Sequence, residues 1–193
     1  MKYRYSTLDL RKDENEPDNK ISGYFSVFNS EYRMFDGVSE KIDVNAFDES
    51  LANDDGSIRC LWNHDDSIVL GRTGSGTLRL HVDEHGLFGE VDVNPDDSDA
   101  MNALARIKRG DVDQCSIGFE ILAEDFEERD ENDVLFTIRK VKLWEVSPVT
   151  FPAYKETSIS ARKADLQEIK KNELRLWRAQ QRSKLDGIKK TIS

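Results

Sequence analysis

Long apolar runs are missing from these 193 residues. No stretch approaches the roughly 20 residues that a membrane-crossing helix needs, so no membrane span is expected. The opening Met1-Lys2-Tyr3-Arg4-Tyr5 lacks the apolar core of a secretory signal. Cysteine is scarce: Cys60 and Cys115 are the only two, and their spacing is not that of a metal site. They read as free thiols in a reducing compartment, which excludes a disulfide scaffold. Histidine is also scarce, with only His64, His81 and His85 available as bases or metal ligands. There is no internal repeat. These absences leave a soluble, cytoplasmic protein as the expectation.

Charge is plentiful. Hydrophobic residues make up 37% and charged residues 34% of the chain, which predicts a lean core under a charged surface. The net charge of -10 is unevenly spread. From Arg162 onward ten Lys/Arg stand against four Asp/Glu, whereas the preceding residues hold 18 against 34. An acidic body argues against nucleic-acid binding by that body, and a basic tail can dock on something acidic. The length suits one domain with a core plus an appendage, here residues 1–161 and 162–193.

Strands are predicted over 1–9, 21–28, 33–35, 38–44, 58–62, 78–82, 87–93, 114–122 and 134–149, the last broken near Lys140. The hairpin signal is Asp36-Gly37. A short helix is expected over 45–51 with Asn45 as its cap. A second opens at Asn94-Pro95-Asp96, carries Ala100, Leu104 and Ile107 at helical spacing, and stops at Gly110. Residues 71–76 and the charge-dense 125–133 read as loops. The Lys/Arg/Glu/Gln-rich residues 163–190 read as a helical tail without proline. The fold class is α+β: a mostly antiparallel β-barrel or half-barrel with a few flanking helices and a C-terminal helical tail.

Two short motifs hold the chemistry. His64 closes an apolar strand in Leu61-Trp62-Asn63-His64-Asp65, a setting that suits a general base. Ser116 lies in Cys115-Ser116-Ile117-Gly118-Phe119. Alternation along a strand places Ser116 and Gly118 on one face and Cys115, Ile117 and Phe119 on the other. Gly118 would leave open space beside the hydroxyl for a substrate backbone. Cys115 is the rival nucleophile, but it faces the core, where thiols are inert. A base needs an orienting partner. Glu145 stands out as a carboxylate within the apolar strand Trp144-Glu145-Val146, and Asp65 is a weaker candidate. Each motif has a plainer reading: a surface histidine in a polar turn, and a serine on the polar face of a half-buried strand.

Taken together, these segments resemble a known family. Leu61-Trp62-Asn63-His64-Asp65 with Leu70-Gly71-Arg72, Ser116-Ile117-Gly118-Phe119, and Glu145-Val146-Ser147-Pro148-Val149 with Pro152-Ala153 are similar to the prohead proteases of tailed bacteriophages. Gly23 to Phe28 and Asp43 to Phe47 match the beginning of that pattern. The resemblance covers roughly residues 20–161. It implies a serine endopeptidase working inside the procapsid, in the host bacterial cytoplasm. Its substrates would be scaffold, the capsid protein's scaffolding segment and the protease itself. It also implies a barrel fold shared with herpesvirus assembly proteases, His64 as base and Ser116 as nucleophile. The herpesvirus relatives use a second histidine after the serine. No histidine follows His85 here, so Glu145 takes the third role.

No cofactor, metal, nucleic acid or membrane is implied, and self-association is possible. The tail after Ala161 is expected to recruit the protease to scaffold or capsid protein, or else to be a solvated helix. Two other readings compete: a non-catalytic assembly protein built on the same barrel, and a metal-dependent hydrolase using His64, His81 and His85. The histidine spacing lacks the tight helical pairs of a zinc site.

Overall fold

Two strands of 17 residues each, β9 (Gln114–Asp130) and β10 (Asp133–Val149), form the spine of the molecule as a long antiparallel hairpin. The computed structural model describes residues 2–7, 19–130 and 133–151, together with Gln167, Lys171 and Arg175. The strands and helices belong to one compact unit, Met1–Ala153. Tyr154–Ser193 is a second unit, in which the three described residues are helical and exposed. The expected tail helix and the boundary at 161/162 otherwise lie outside the described residues.

β1 (Lys2–Thr7) lies antiparallel along β9. On its other side β10 pairs in parallel with β4 (Val38–Ile42), which forms a hairpin with β3 (Tyr32–Phe35). Farther along, β10 pairs in parallel with β5 (Arg59–Trp62), which is antiparallel to β6 (Asp65–Arg72). A second sheet has the order β2 (Lys20–Val27), β8 (Gly86–Asp92), β7 (Leu78–Val82). The architecture is mostly β with few helices. Among the described residues the strands make two sheets and no closed ring.

The core lies between the sheets. Ile21, Phe25, Leu87 and Val91 come from the smaller sheet, and Ile117, Phe119 and Val146 from the larger. The Cys115 thiol donates to the Tyr24 carbonyl at 3.1 Å and joins the two sheets. Helix α2 (Ser98–Arg109) buries Ala100, Ala103, Leu104 and Ile107, the stripe its spacing predicts. Its cap is Asp97, whose carboxylate accepts from the N–H groups of Asp99 and Ala100. Gly110 ends it at φ 85°, a left-handed conformation that other L-residues adopt at a penalty.

Three expectations need correction. The short helix α1 (Asp48–Ala52) has Phe47, not Asn45, at its cap position. Asn45 instead donates to the Asp43 carboxylate in a turn ahead of the helix. Residues 65–72 are a strand, and a 3₁₀ turn at Thr73–Ser75 follows. Asp125–Asp130 is not a loop but the outer part of β9, paired to β10. Among the described residues six strand pairings are antiparallel, as expected of a mostly antiparallel fold, and β10 takes both β4 and β5 in parallel.

Replacing the α2 cap tests how far that helix supports the core. Asp97→Ala should lower the unfolding free energy by about 1 kcal/mol. Urea denaturation would show it as a lower midpoint with an unchanged slope.

Candidate active site

His64 sits in a hairpin turn rather than at the end of a strand. Trp62 pairs with Asp65, so Asn63 and His64 are the whole loop between β5 and β6. Both have positive φ, 53° and 62°, as a type I′ turn demands. Asn tolerates this conformation, whereas the second position favours glycine. Holding histidine there costs on the order of 1 kcal/mol. The turn is tied to the end of β10. Asn63 N–H donates to the Pro148 carbonyl at 3.0 Å. Its side-chain amide donates to Thr150 Oγ1 at 3.3 Å, and Thr150 N–H returns a bond to Asn63 Oδ1 at 2.8 Å.

Glu145 reaches this turn through a bulge. Leu143 pairs with Phe119, and Glu145 pairs with Gly118, so Trp144 is one extra residue on β10. Strict alternation would put Glu145 on the core face with Leu143. The inserted residue moves it to the opposite face and returns Val146 to the core opposite Ile117. Glu145 is buried, at 4% exposure. Its Oε1 lies 2.7 Å from His64 Nδ1, and its Oε2 accepts from Ser147 Oγ at 2.5 Å. A carboxylate bonded this way accepts from Nδ1–H, which leaves the imidazole lone pair on Nε2.

Ser116 pairs directly with Ser147, two positions along the ladder from Gly118 and Glu145. These four residues share one face of the β9–β10 pair, as the alternation predicts for Ser116 and Gly118. In such a ladder Ser116 and Glu145 are diagonal neighbours, roughly 7 Å apart. Ser116 is fully buried, and its Oγ has no hydrogen-bond partner among the described residues. A cleft of about 530 Å³ opens against the same turn. Trp62, Asn63 and Thr150 form one wall; Asn102, Arg106 and Val112 form the other.

The structure thus brings His64 and Glu145 into contact and places Ser116 on the same face of the sheet. Asp65 is not part of this group. Its carboxylate accepts from the Ser67 N–H and hydroxyl, which hold it below the usual carboxyl range. His81 and His85 belong to the β7–β8 hairpin of the other sheet, where His81 faces Phe88 and His85 meets Tyr24. No group of three His, Cys, Asp or Glu among the described residues is arranged to hold a metal ion.

The role expected of Gly118 also changes. A Cβ there would stand 2.3 Å from Glu145 Oε1 and 3.0 Å from Cδ, so the space belongs to the carboxylate and not to substrate. Sequence reasoning missed the Asn63–Thr150 clamp and the Ser147 hydrogen bond. Asn63, directly after the apolar Cys60-Leu61-Trp62 and tolerant of left-handed backbone, was the available signal for a tight turn. Ser147 was signalled only by sharing strand parity with Glu145.

Comparison with known proteins gives two matches. A family model described as caudovirus prohead serine protease matches residues 6–172. The prohead protease of Enterobacteria phage HK97 is 29% identical over 145 residues, which cover 75% of this chain and 60% of that protein. The chain therefore matches about 60% of the length of this curated relative. No solved structure matches significantly.

Gly118→Ala should displace the Glu145 carboxylate while the fold persists. The expected result is loss or a large shift of the downfield Nδ1–H proton resonance of His64, with an unchanged far-ultraviolet circular dichroism spectrum. An unshifted resonance would mean that the carboxylate does not need the missing Cβ.

Proposed function

Given that this chain belongs to the caudovirus prohead serine protease family, we propose that it is a serine endopeptidase with Ser116 as nucleophile, His64 as general base and Glu145 as orienting carboxylate. One observation carries the assignment. Glu145, which bonds His64, and the unpartnered Ser116 hydroxyl belong to the same face of one strand pair. Nucleophile, base and orienter need that convergence, whatever fold supplies it.

In this reading His64 Nε2 takes the proton from Ser116 Oγ as the oxygen attacks the scissile carbonyl. Glu145 holds the imidazole in the required tautomer and stabilises the imidazolium that forms. The imidazolium then protonates the departing amine, leaving an acyl-serine. A water molecule, deprotonated by the same nitrogen, cleaves that ester and restores the hydroxyl. In this reading a polypeptide approaches from the side of the cleft that opens beside Asn63 and Thr150.

The substrates in this reading are scaffold, the scaffolding segment of the major capsid protein, and the chain itself, cut inside the procapsid in the host cytoplasm. Self-association of the protease fits the same setting. The half-barrel alternative of the expected fold class fits two sheets packed about one core. Residues 1–161 are the protease domain, and the basic residues 162–193 recruit it to the assembling shell. No helix among the described residues is long and apolar enough to cross a membrane.

Ser116→Ala should lower capsid-protein processing by on the order of 10⁴- to 10⁶-fold. It should also abolish labelling by a serine-reactive phosphonate. Wild-type processing by that variant would reject Ser116 as the nucleophile, and failure of the unaltered chain to process capsid protein would favour a non-catalytic assembly protein. A chain ending at Ala161 should keep peptidase activity and fail to enter procapsids. Normal packaging of the shortened chain would remove the recruiting role of the tail.

A further inference from the structure

We propose that Ser147 is a positioning residue, whose hydroxyl fixes the Glu145 carboxylate so that Oε1 faces His64. This rests on the reading of His64 as the base. A buried carboxylate has two oxygens to satisfy, and a side chain with three rotatable bonds has many ways to place them. Oε1 is used by His64 Nδ1. Oε2 is used by Ser147 Oγ at 2.5 Å. Glu145 is nearly fully buried and Ser147 completely so, which leaves little access for water to replace the hydroxyl.

The strand geometry makes Ser147 suited to this task. Two residues apart on one strand, Ser147 and Glu145 point to the same face. Ser147 is also the register partner of Ser116. One residue therefore joins the nucleophile's strand through its backbone ladder and the orienting carboxylate through its side chain. A hydroxyl carries a single proton. Given to Glu145, that proton sets the plane of the carboxylate and with it the angle at which His64 is held. Gly118 clears the space for the carboxylate, and Ser147 decides which way it turns within that space.

The test compares Ser147→Thr with Ser147→Val, which match in size and differ in the hydroxyl. Losing a charge-assisted hydrogen bond should lower kcat of the Val variant about 10- to 100-fold with KM nearly unchanged. The Thr variant should recover most of that loss. The downfield Nδ1–H resonance of His64 should persist with Thr and shift or vanish with Val. Ser147→Ala, which removes the hydroxyl without adding a methyl, should match Val and covers the case in which the larger side chains fail to fold. Equal activity in Thr and Val, or an unmoved resonance in Val and Ala, would overturn the proposal. The resonance is read equally well in the Ser116→Ala background. A protein without peptidase activity would thus defeat the protease reading and still leave the Ser147 comparison decisive for the Glu145–His64 contact.

Discussion

Glu145 reaches His64 because β10 holds one more residue than β9 between Leu143 and Glu145. In a regular ladder the carboxylate would point with Leu143 into the core, at a large desolvation penalty and far from any base. The bulge at Trp144 changes the phase of the strand at one point. On one side of it Leu143 faces the core, and on the other Val146 does. The polar face made by Ser116, Gly118, Glu145 and Ser147 exists only under that phase change. Lys142 lies over the half-buried Trp144 ring at 4.1 Å, so the extra side chain has its own packing at the edge of the fold.

The bulge sets one half of the site, and the Asn63-His64 turn sets the other. Two consecutive non-glycine residues at positive φ are unfavourable in isolation. They persist here because the surrounding structure over-determines them. Asn63 makes three hydrogen bonds to Pro148 and Thr150, and His64 has its own bond to Glu145. Hydrogen bonds contribute about 1 kcal/mol each, enough together to offset the strain. Every one of these partners lies on β10 or just after it, so turn and carboxylate are positioned by the same strand.

The readily legible parts of the sequence were those where local pattern and tertiary setting agree. The α2 stripe of Ala100, Leu104 and Ile107 and the alternation around Ser116 depend on periods of 3.6 and 2, and the Asp36-Gly37 hairpin depends on turn chemistry. His64 and Ser116 stand out by local chemistry and by the resemblance, and Glu145 as a carboxylate in an apolar strand; His64 Nδ1 lies 2.7 Å from Glu145 Oε1. What failed was structure whose stabilisation comes from elsewhere. Asp125–Asp130 reads as loop because β9 is charged and exposed there. Its apolar support lies instead on β10, where Val134, Leu135 and Phe136 are buried. Residues 65–72 hide a strand because Asp65, Asp66 and Ser67 look like a turn. The bulge at Trp144 could not be read at all, since it is a mismatch between two strands distant in sequence.

These differences divide the site into parts held by different forces. Ser116, Glu145 and Ser147 stand on strands bonded along both edges, by β1 on one side and by β5 on the other. Their backbones cannot shift without breaking several ladder bonds together. His64 is held by a two-residue loop, three hydrogen bonds of its neighbour and one of its own. The cleft lies against that loop, with Asn63 and Thr150 in its wall. Precision in the carboxylate–serine half therefore comes from sheet register, and precision in the histidine half from side-chain clamping. A change that breaks the ladder bonds of β9 or β10 registers as lost fold, whereas a side-chain substitution at Ser116, Gly118 or Ser147 leaves the ladder in place. A change in the clamp can alter the chemistry while leaving the sheet intact.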